Sequence, residues 1–156
     1  MRFFSTLVAA VTLAAAPLFA ADDANTLVIE VAGENTGVIE IELLPKVAPQ
    51  HVDRIKRLTR DGLYNDVVFH RVIPGFMAQT GDVEHGKREG FNLRYAGIGG
   101  SSLPDLPAEF SDIDYQPGVV GMARSQNPNS ANSQFFIMFA PAPFLNGQYT
   151  VVGKVI

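Results

Sequence analysis

The 156 residues contain no cysteine. That excludes a disulfide framework, a thiolate nucleophile and a cysteine-based zinc site. Basic charge is scarce too. Twelve Lys and Arg, scattered along the chain, stand against 16 Asp and Glu, for a formal net charge of −4. Such a chain has no electrostatic footprint for nucleic acid, and no nucleic-acid partner is expected. Histidine is limited to His51, His70 and His85, none at short ligand spacing, so no metal site is expected. His70, in an apolar stretch, is expected to be buried and hydrogen-bonded.

Nucleophile and phosphate motifs are also missing. Ser101 and Ser102 follow glycines but lack the strand-turn-helix context of a nucleophile elbow. Residues 147–154 have the wrong spacing for a phosphate loop, and Val155 stands where Ser or Thr is needed. The carboxylate pairs Asp22-Asp23 and Glu40/Glu42 fall in a tail and on a wet strand face. Nothing places a nucleophile or a base, and no cofactor is expected.

One long hydrophobic run is present, at the N-terminus. Arg2 gives a short positive region, residues 3–16 are apolar, Pro17 breaks the run and Ala20 offers a small residue. Residues 1–20 are expected to be a secretory signal peptide cleaved after Ala20 or Ala21, leaving residues 21–156 as one domain. Export to a bacterial periplasm is therefore expected, with no stable membrane association after cleavage.

The centre of the chain is residues 67–81, VVFHRVIPGFMAQTG. Residues 67–73 are rich in β-branched and aromatic types and read as a strand. Pro74-Gly75 breaks it, and Phe76 and Met77 restart an apolar run. Alternation puts Phe69, Arg71 and Ile73 on one face. A guanidinium among apolar residues is either a strand-end cation that reaches solvent or a donor set in a hydrophobic groove.

Around it the elements are short. Residues 26–32 and 38–43 read as an antiparallel hairpin across a Gly-Asn turn, with Ile39, Ile41 and Leu43 inward and Glu40 and Glu42 outward. Pro49 suits the first turn of a helix carrying Val52, Ile55 and Leu58 on one side. Arg54, Lys56, Arg57 and Arg60 are expected on its wet side, with Gly62 closing it. Residues 82–107 hold many glycines and prolines and no period, so they read as loop. Residues 106–111 are expected to form a short buried segment anchored by Phe110.

Residues 118–123 read as a strand in which Gly121 marks close backbone approach. Residues 133–139 read as a strand, Asn146-Gly147 as a two-residue hairpin turn, and residues 149–156 as the last strand. Six or seven strands, one helix and no βαβ alternation imply a mainly β, antiparallel barrel or sandwich with a helix closing one end. Arg71, Gln79 and Gln134 are then polar groups set in apolar strands, and Phe76, Met77, Met122, Phe136, Phe144 and Leu145 are apolar candidates for a pocket.

Five stretches carry a family resemblance: FHRVIPGFMAQ at 69–79, GMA at 121–123, SQFFI at 133–137, FLNG at 144–147 and VGKV at 152–155. In that order the chain from about residue 26 onward resembles the cyclophilins, the peptidyl-prolyl cis–trans isomerases. The resemblance implies an antiparallel β-barrel of eight strands with two capping helices, and a groove that binds a peptide proline. Members continue past Gly-Lys-Val with a second helix and a last strand; the sequence stops at Ile156, so either it is a fragment or the barrel is open with an unpaired edge.

The resemblance assigns Arg71 as the catalytic guanidinium. It assigns Phe76, Met77, Phe136 and Leu145 to the proline pocket, Gln79 and Gln134 to the substrate backbone, and Ala123 and Arg124 to an adjoining subsite. Phe144 stands where many eukaryotic members have Trp, which implies weaker cyclosporin binding. Tyr149 stands where His is frequent, and Arg124 where Asn is frequent. The partners implied are proline-containing peptides and folding proteins, met by a monomer. Two readings of the groove follow: an isomerase that assists folding after export, or a module that holds proline-containing segments without catalysis. Arg71 together with Phe76, Met77, Gln79 and Phe136 favours the isomerase.

Overall fold

The computed structural model describes residues 24–156. The expected signal peptide lies outside them. Thr26–Val31 (β1) and Gly37–Leu43 (β2) form the antiparallel hairpin that their alternation predicts. Leu27 pairs with Ile41 and Ile29 with Ile39. Leu27, Ile41 and Leu43 are buried while Glu42 is exposed.

Pro49–Arg60 is the single α-helix among the described residues, α1. Pro49 costs nothing at the first helical position, because its missing N–H would lack an intrahelical partner anyway. Val52, Ile55 and Leu58 are buried at helical spacing, each worth about 1.5–3 kcal/mol of transfer from water. Gly62, at φ +71°, turns the chain out of the helix, and the Leu63 N–H returns to the Leu58 carbonyl at 2.9 Å. Ala48 has no side chain to cap the first turn. The Glu109 carboxylate, 58 residues on from His51, supplies the cap. It accepts the N–H of Gln50 at 3.2 Å, that of His51 at 3.1 Å and His51 Nδ1 at 2.6 Å.

Arg54 departs from the expected wet face. It is buried, and its guanidinium donates to the carbonyls of Asn132 at 3.1 Å and Pro104 at 2.6 Å. Its stem follows the apolar face of α1 and its charge is spent on loop carbonyls that have no ladder partner.

The remaining strands are Arg71–Ile73 (β3), Met77–Thr80 (β4), Val119–Met122 (β5), Phe135–Met138 (β6) and Val151–Val155 (β7). All seven strands join one antiparallel half-barrel sheet in the order β1-β2-β7-β5-β6-β4-β3. Alternation divides its two faces. Val120, Met122, Phe135, Ile137 and Val152 join Leu27, Ile41 and the apolar side of α1 in one core. Met77, Val119, Phe136, Met138 and Val151 join Tyr115 and Leu145 in a second. Neighbouring Val151 and Val152 alternate into different cores, and the pairing of β5 with β7 shifts register between Val120 and Gly121.

Three further expectations change. The strand expected over 67–73 is regular only at Arg71–Ile73; Asp66, at φ +56°, bends the chain before it, and Val67 makes one isolated bridge to Lys87. Phe110 is 45% exposed and anchors nothing, whereas its neighbour Glu109 ties the segment to α1. Asn146-Gly147 is not a hairpin turn. It follows a 3₁₀ turn at Pro143–Leu145, and β6 and β7 are separated by β5 rather than paired. The Asn146 side chain instead accepts the Tyr115 N–H at 2.8 Å.

Candidate active site

β3 and β4 form a tight hairpin over Ile73-Pro74-Gly75-Phe76. Pro74 presets the second turn position, Gly75 at φ +73° takes the third, and the Phe76 N–H closes on the Ile73 carbonyl at 3.0 Å. The turn fixes the register, so Arg71 stands opposite Gln79. Gln79 stands opposite Phe136 on β6, and Phe136 opposite Gly121 on β5. Residues directly opposite in neighbouring strands share a face. Arg71, Gln79, Phe136 and Gly121 are therefore one row across four strands, lying on the side of the second core.

Gly121 is part of that construction. A Cβ there would lie 2.6 Å from Phe136 Cζ and would also collide with the Tyr115 hydroxyl. The bare backbone lets both rings lie over it, 5.7 Å apart and stacked. Burial pushes the Tyr115 hydroxyl well above the ordinary phenol range. Met77, Leu145 and Phe136 are buried in this floor, with Phe76, Ala123 and Tyr149 packed against it. Phe144 is 68% exposed and sits on the rim, 5.9 Å from the Phe76 ring.

Above the floor runs a line of polar groups. Arg71 Nη1 donates to Gln79 Oε1 at 3.5 Å, Gln79 Nε2 to Gln134 Oε1 at 3.0 Å, and Gln134 Nε2 to the Gly99 carbonyl at 2.7 Å. Arg71 is exposed and Gln134 is buried, so the line starts at the surface and ends inside. Of the two readings of the guanidinium, the structure has the one that reaches solvent. The guanidinium stands at the edge of an apolar floor, tethered by one amide.

Beside the line opens a cavity of about 330 Å³ lined by Gln79, Ala123, Arg124 and Gln134, with Ser125, Ser130, Asn132 and Ser133 from the following loop and Gly97, Ile98 and Gly99 from the long one. Arg124 Nε and Nη2 both donate to the Gln148 carbonyl, at 3.0 and 2.7 Å. Tyr149 meets Phe136 edge-on at 5.8 Å. Of the residues proposed from the sequence, Phe76, Met77, Ala123, Phe136, Leu145 and Tyr149 share the second core, Arg71, Gln79 and Gln134 form the polar line, Arg124 lines the cavity and Phe144 meets Phe76 at the rim, whereas Met122, also a pocket candidate, faces the first core.

Sequence reasoning missed what holds the cavity wall. Asp82 is fully buried. Its carboxylate accepts four backbone N–H groups: Glu84 at 3.1 Å, His85 at 2.8 Å, Gly97 at 2.8 Å and Gly99 at 3.1 Å. Burial pushes this carboxyl up, and the four donors outweigh burial and hold it below the usual carboxylate range. Asn132 pins the next turn, its Oδ1 accepting the Ser101 N–H at 2.8 Å and its Nδ2 donating to the Leu103 carbonyl at 3.0 Å. An Asp directly after Gly81 and ahead of a glycine-rich loop was the only available signal. His70, expected to be hydrogen-bonded, has both ring nitrogens buried without a partner among the described residues, and burial lowers its pKa.

Residues 26–156 match the family model for cyclophilin type peptidyl-prolyl cis-trans isomerase. The chain belongs to the cyclophilin family. A probable peptidyl-prolyl cis-trans isomerase of Brucella suis is 62% identical over 138 residues, spanning 88% of this chain and 69% of that protein. A peptidyl-prolyl cis-trans isomerase-like 1 of Emericella nidulans is 39% identical over 123 residues, spanning 76% of this chain and 69% of the relative. Among solved structures, a Cryptosporidium parvum cyclophilin in the presence of the dipeptide Ala-Pro superposes with TM-score 0.66 at 32% identity, over 77% of this chain and 73% of that one. A cyclophilin from Hirschia baltica superposes with TM-score 0.67 at 28% identity, over 84% of this chain and 63% of that one. As in those cyclophilins, the fold is an antiparallel half-barrel sheet with a helix packed on it.

Proposed function

We propose that this cyclophilin catalyses rotation about Xaa-Pro peptide bonds, with Arg71 as the catalytic guanidinium. Amide resonance gives the bond a barrier of ~20 kcal/mol, and uncatalysed exchange takes tens to hundreds of seconds. As the bond twists, resonance is lost and a lone pair localises on the proline nitrogen. A donor aimed at that nitrogen binds the twisted state more strongly than either planar state, which is what accelerates the reaction. The observation that carries this reading is the row that puts Arg71 at the margin of the floor made by Phe76, Met77, Phe136 and Leu145. In this reading the floor holds the proline ring still. Gln79 and Gln134 meet the backbone before it, and Ala123 and Arg124 bound the cavity for preceding residues. The Ala-Pro dipeptide named with the Cryptosporidium cyclophilin supports a proline-containing peptide as ligand.

The substrates are proline-containing segments of proteins that fold after export, and the working form is a monomer in a bacterial periplasm. Residues 1–20 act as the cleaved signal, as their composition suggests. The deciding experiment is cis–trans exchange of a short Xaa-Pro peptide with purified protein, with circular dichroism on the same sample. Acceleration by a folded sample supports the isomerase. A folded sample that binds the peptide without accelerating exchange makes it a proline-binding module instead. The N-terminal residue of protein recovered from the periplasm tests the export reading, which predicts Ala21 or Asp22.

A further inference from the structure

Hydrogen-bond polarity along the line from Arg71 leaves no freedom at any step. A backbone carbonyl can only accept, so the Gly99 oxygen requires the amide nitrogen of Gln134 on its side. The Gln134 oxygen then faces Gln79 and must receive the Gln79 nitrogen. The Gln79 oxygen is left facing Arg71, a pure donor. The direction of both amides, and with it the presence of an acceptor for the guanidinium, is set at Gly99.

The Gly99 N–H is in turn held by a carboxylate. This N–H and that of Gly97 donate to Asp82 Oδ2, at 3.1 and 2.8 Å, in a segment with no named strand or helix. A Cβ on Gly99 would collide with Asp82 Oδ1 and lie 2.9 Å from the His85 ring. The peptide can lie this close to the carboxylate only as glycine. Asp82 is fully buried, so water does not replace an acceptor it loses.

We propose that Asp82 is a positioning residue for the isomerase: through Gly99, Gln134 and Gln79 it presents an acceptor to the Arg71 guanidinium. This rests on the reading of Arg71 as the catalytic guanidinium. Asp82 touches no substrate and acts only through the hydrogen-bonded line.

The test is Asp82→Asn, which keeps the shape and turns one acceptor into a donor facing N–H groups. Three readouts are taken: kcat and KM separately, the same substitution in an Arg71→Ala background, and side-chain NMR signals of Gln79, Gln134 and Arg71 Nε. The expected result is a native circular dichroism spectrum, a loss of about tenfold in kcat with KM changed less than about twofold, and displaced signals for all three side chains. No further loss of kcat is expected in Arg71→Ala. An equal loss of kcat in that background, or unmoved Arg71 and Gln134 signals, overturns the proposal. A substitution that merely loosened the fold would lower the melting temperature without separating kcat from KM. If Asp82→Asn does not fold, Gly99→Ala breaks the same link and is read by the side-chain NMR signals and the Arg71→Ala background, because Gly99 also lines the cavity. If the unsubstituted protein shows no turnover, the reading of Arg71 fails, and the NMR signals alone decide whether Asp82 presents it with an acceptor.

Discussion

The guanidinium carbon of Arg124 lies 4.4 Å from the centroid of the Tyr149 ring. The same guanidinium donates to the Gln148 and Ser125 carbonyls, at 2.7 and 2.9 Å for the shortest contacts. Resemblance to the family marked these two positions as separate departures, Arg for a frequent Asn and Tyr for a frequent His. They form one clamp. The ring face takes the cation, and the cation ties the loop after β5 to the loop before β7. A double-mutant cycle with Arg124→Ala and Tyr149→Ala, read by urea unfolding, is expected to give a coupling of about 0.5–1 kcal/mol. Strict additivity would mean that the stacking carries no energy.

Arg71 stands apart from that clamp. It is exposed, and its side chain has one long hydrogen bond. Arg71→Ala should leave stability within about 0.5 kcal/mol, as for a surface site. Turnover should fall by about 10²–10³, the usual cost of removing a preorganised donor. Arg71→Lys keeps charge but not the planar fork, and is expected to recover only part of the loss. Exchange rates of a fixed Xaa-Pro peptide measured for the three proteins check this. An unchanged rate in Arg71→Ala would remove the guanidinium from the mechanism.

How much of this was readable depends on whether periodicity reports on it. The alternation of residues 26–43 and the spacing of Val52, Ile55 and Leu58 predicted β1, β2 and α1 to within a residue or two, because one face of each is buried. The site residues were readable for a different reason. Most fall in short stretches of family resemblance, with Arg124 and Tyr149 just outside them, and the strand register puts Arg71, Gln79 and Phe136 in one row. Arg54 was misplaced because position on a helix does not reveal what a neighbouring loop offers; the carbonyls of Pro104 and Asn132 lie 50 and 78 residues away. Asp82 and Glu109 escaped notice for the same reason. Glu109 collects backbone N–H groups from 58 and 59 residues away, and Asp82 adds Gly97 and Gly99, 15 and 17 residues on, to the nearby Glu84 and His85; pairing across an aperiodic loop leaves no local pattern. The 3₁₀ turn at Pro143–Leu145 was hidden by an Asn-Gly pair that usually signals a hairpin.

Gly121 gives a packing prediction. Its missing Cβ leaves the space taken by Phe136 and Tyr115. Gly121→Ala is expected to cost about 1–3 kcal/mol by overpacking a core with no slack. Because Phe136 is in the floor of the groove, the substitution should also raise KM for the peptide. Denaturant midpoints and peptide KM measured on one preparation test both effects. Destabilisation with unchanged KM would show that Phe136 does not move and that the strain is absorbed at Tyr115.

Acid should weaken the fold in two separable stages, and the sign follows from proton counting. Burial holds the pKa of His70 below its ordinary 6.5, with the charge of Asp82 opposing and that of Arg71 assisting. Between the lowered value and 6.5 the unfolded chain binds a proton that the folded chain does not, so stability falls as pH drops below about 6.5. Glu109 acts later. Burial raises its pKa, but the His51 side chain and the N–H groups of Gln50 and His51 outweigh that and bring it below 4.5. Its contribution is complete above 4.5 and is lost as pH falls through the lowered value. His70→Gln is expected to flatten the stability profile just below pH 6.5 while leaving the steeper acid limb. Glu109→Gln should lower stability at pH 7, because the cap of α1 loses its charge, and should flatten the limb below pH 4.5. Urea unfolding across pH 3–8 reads both limbs in each variant. A profile for Glu109→Gln parallel to that of the unsubstituted protein would show that the first turn of α1 is not held by this carboxylate.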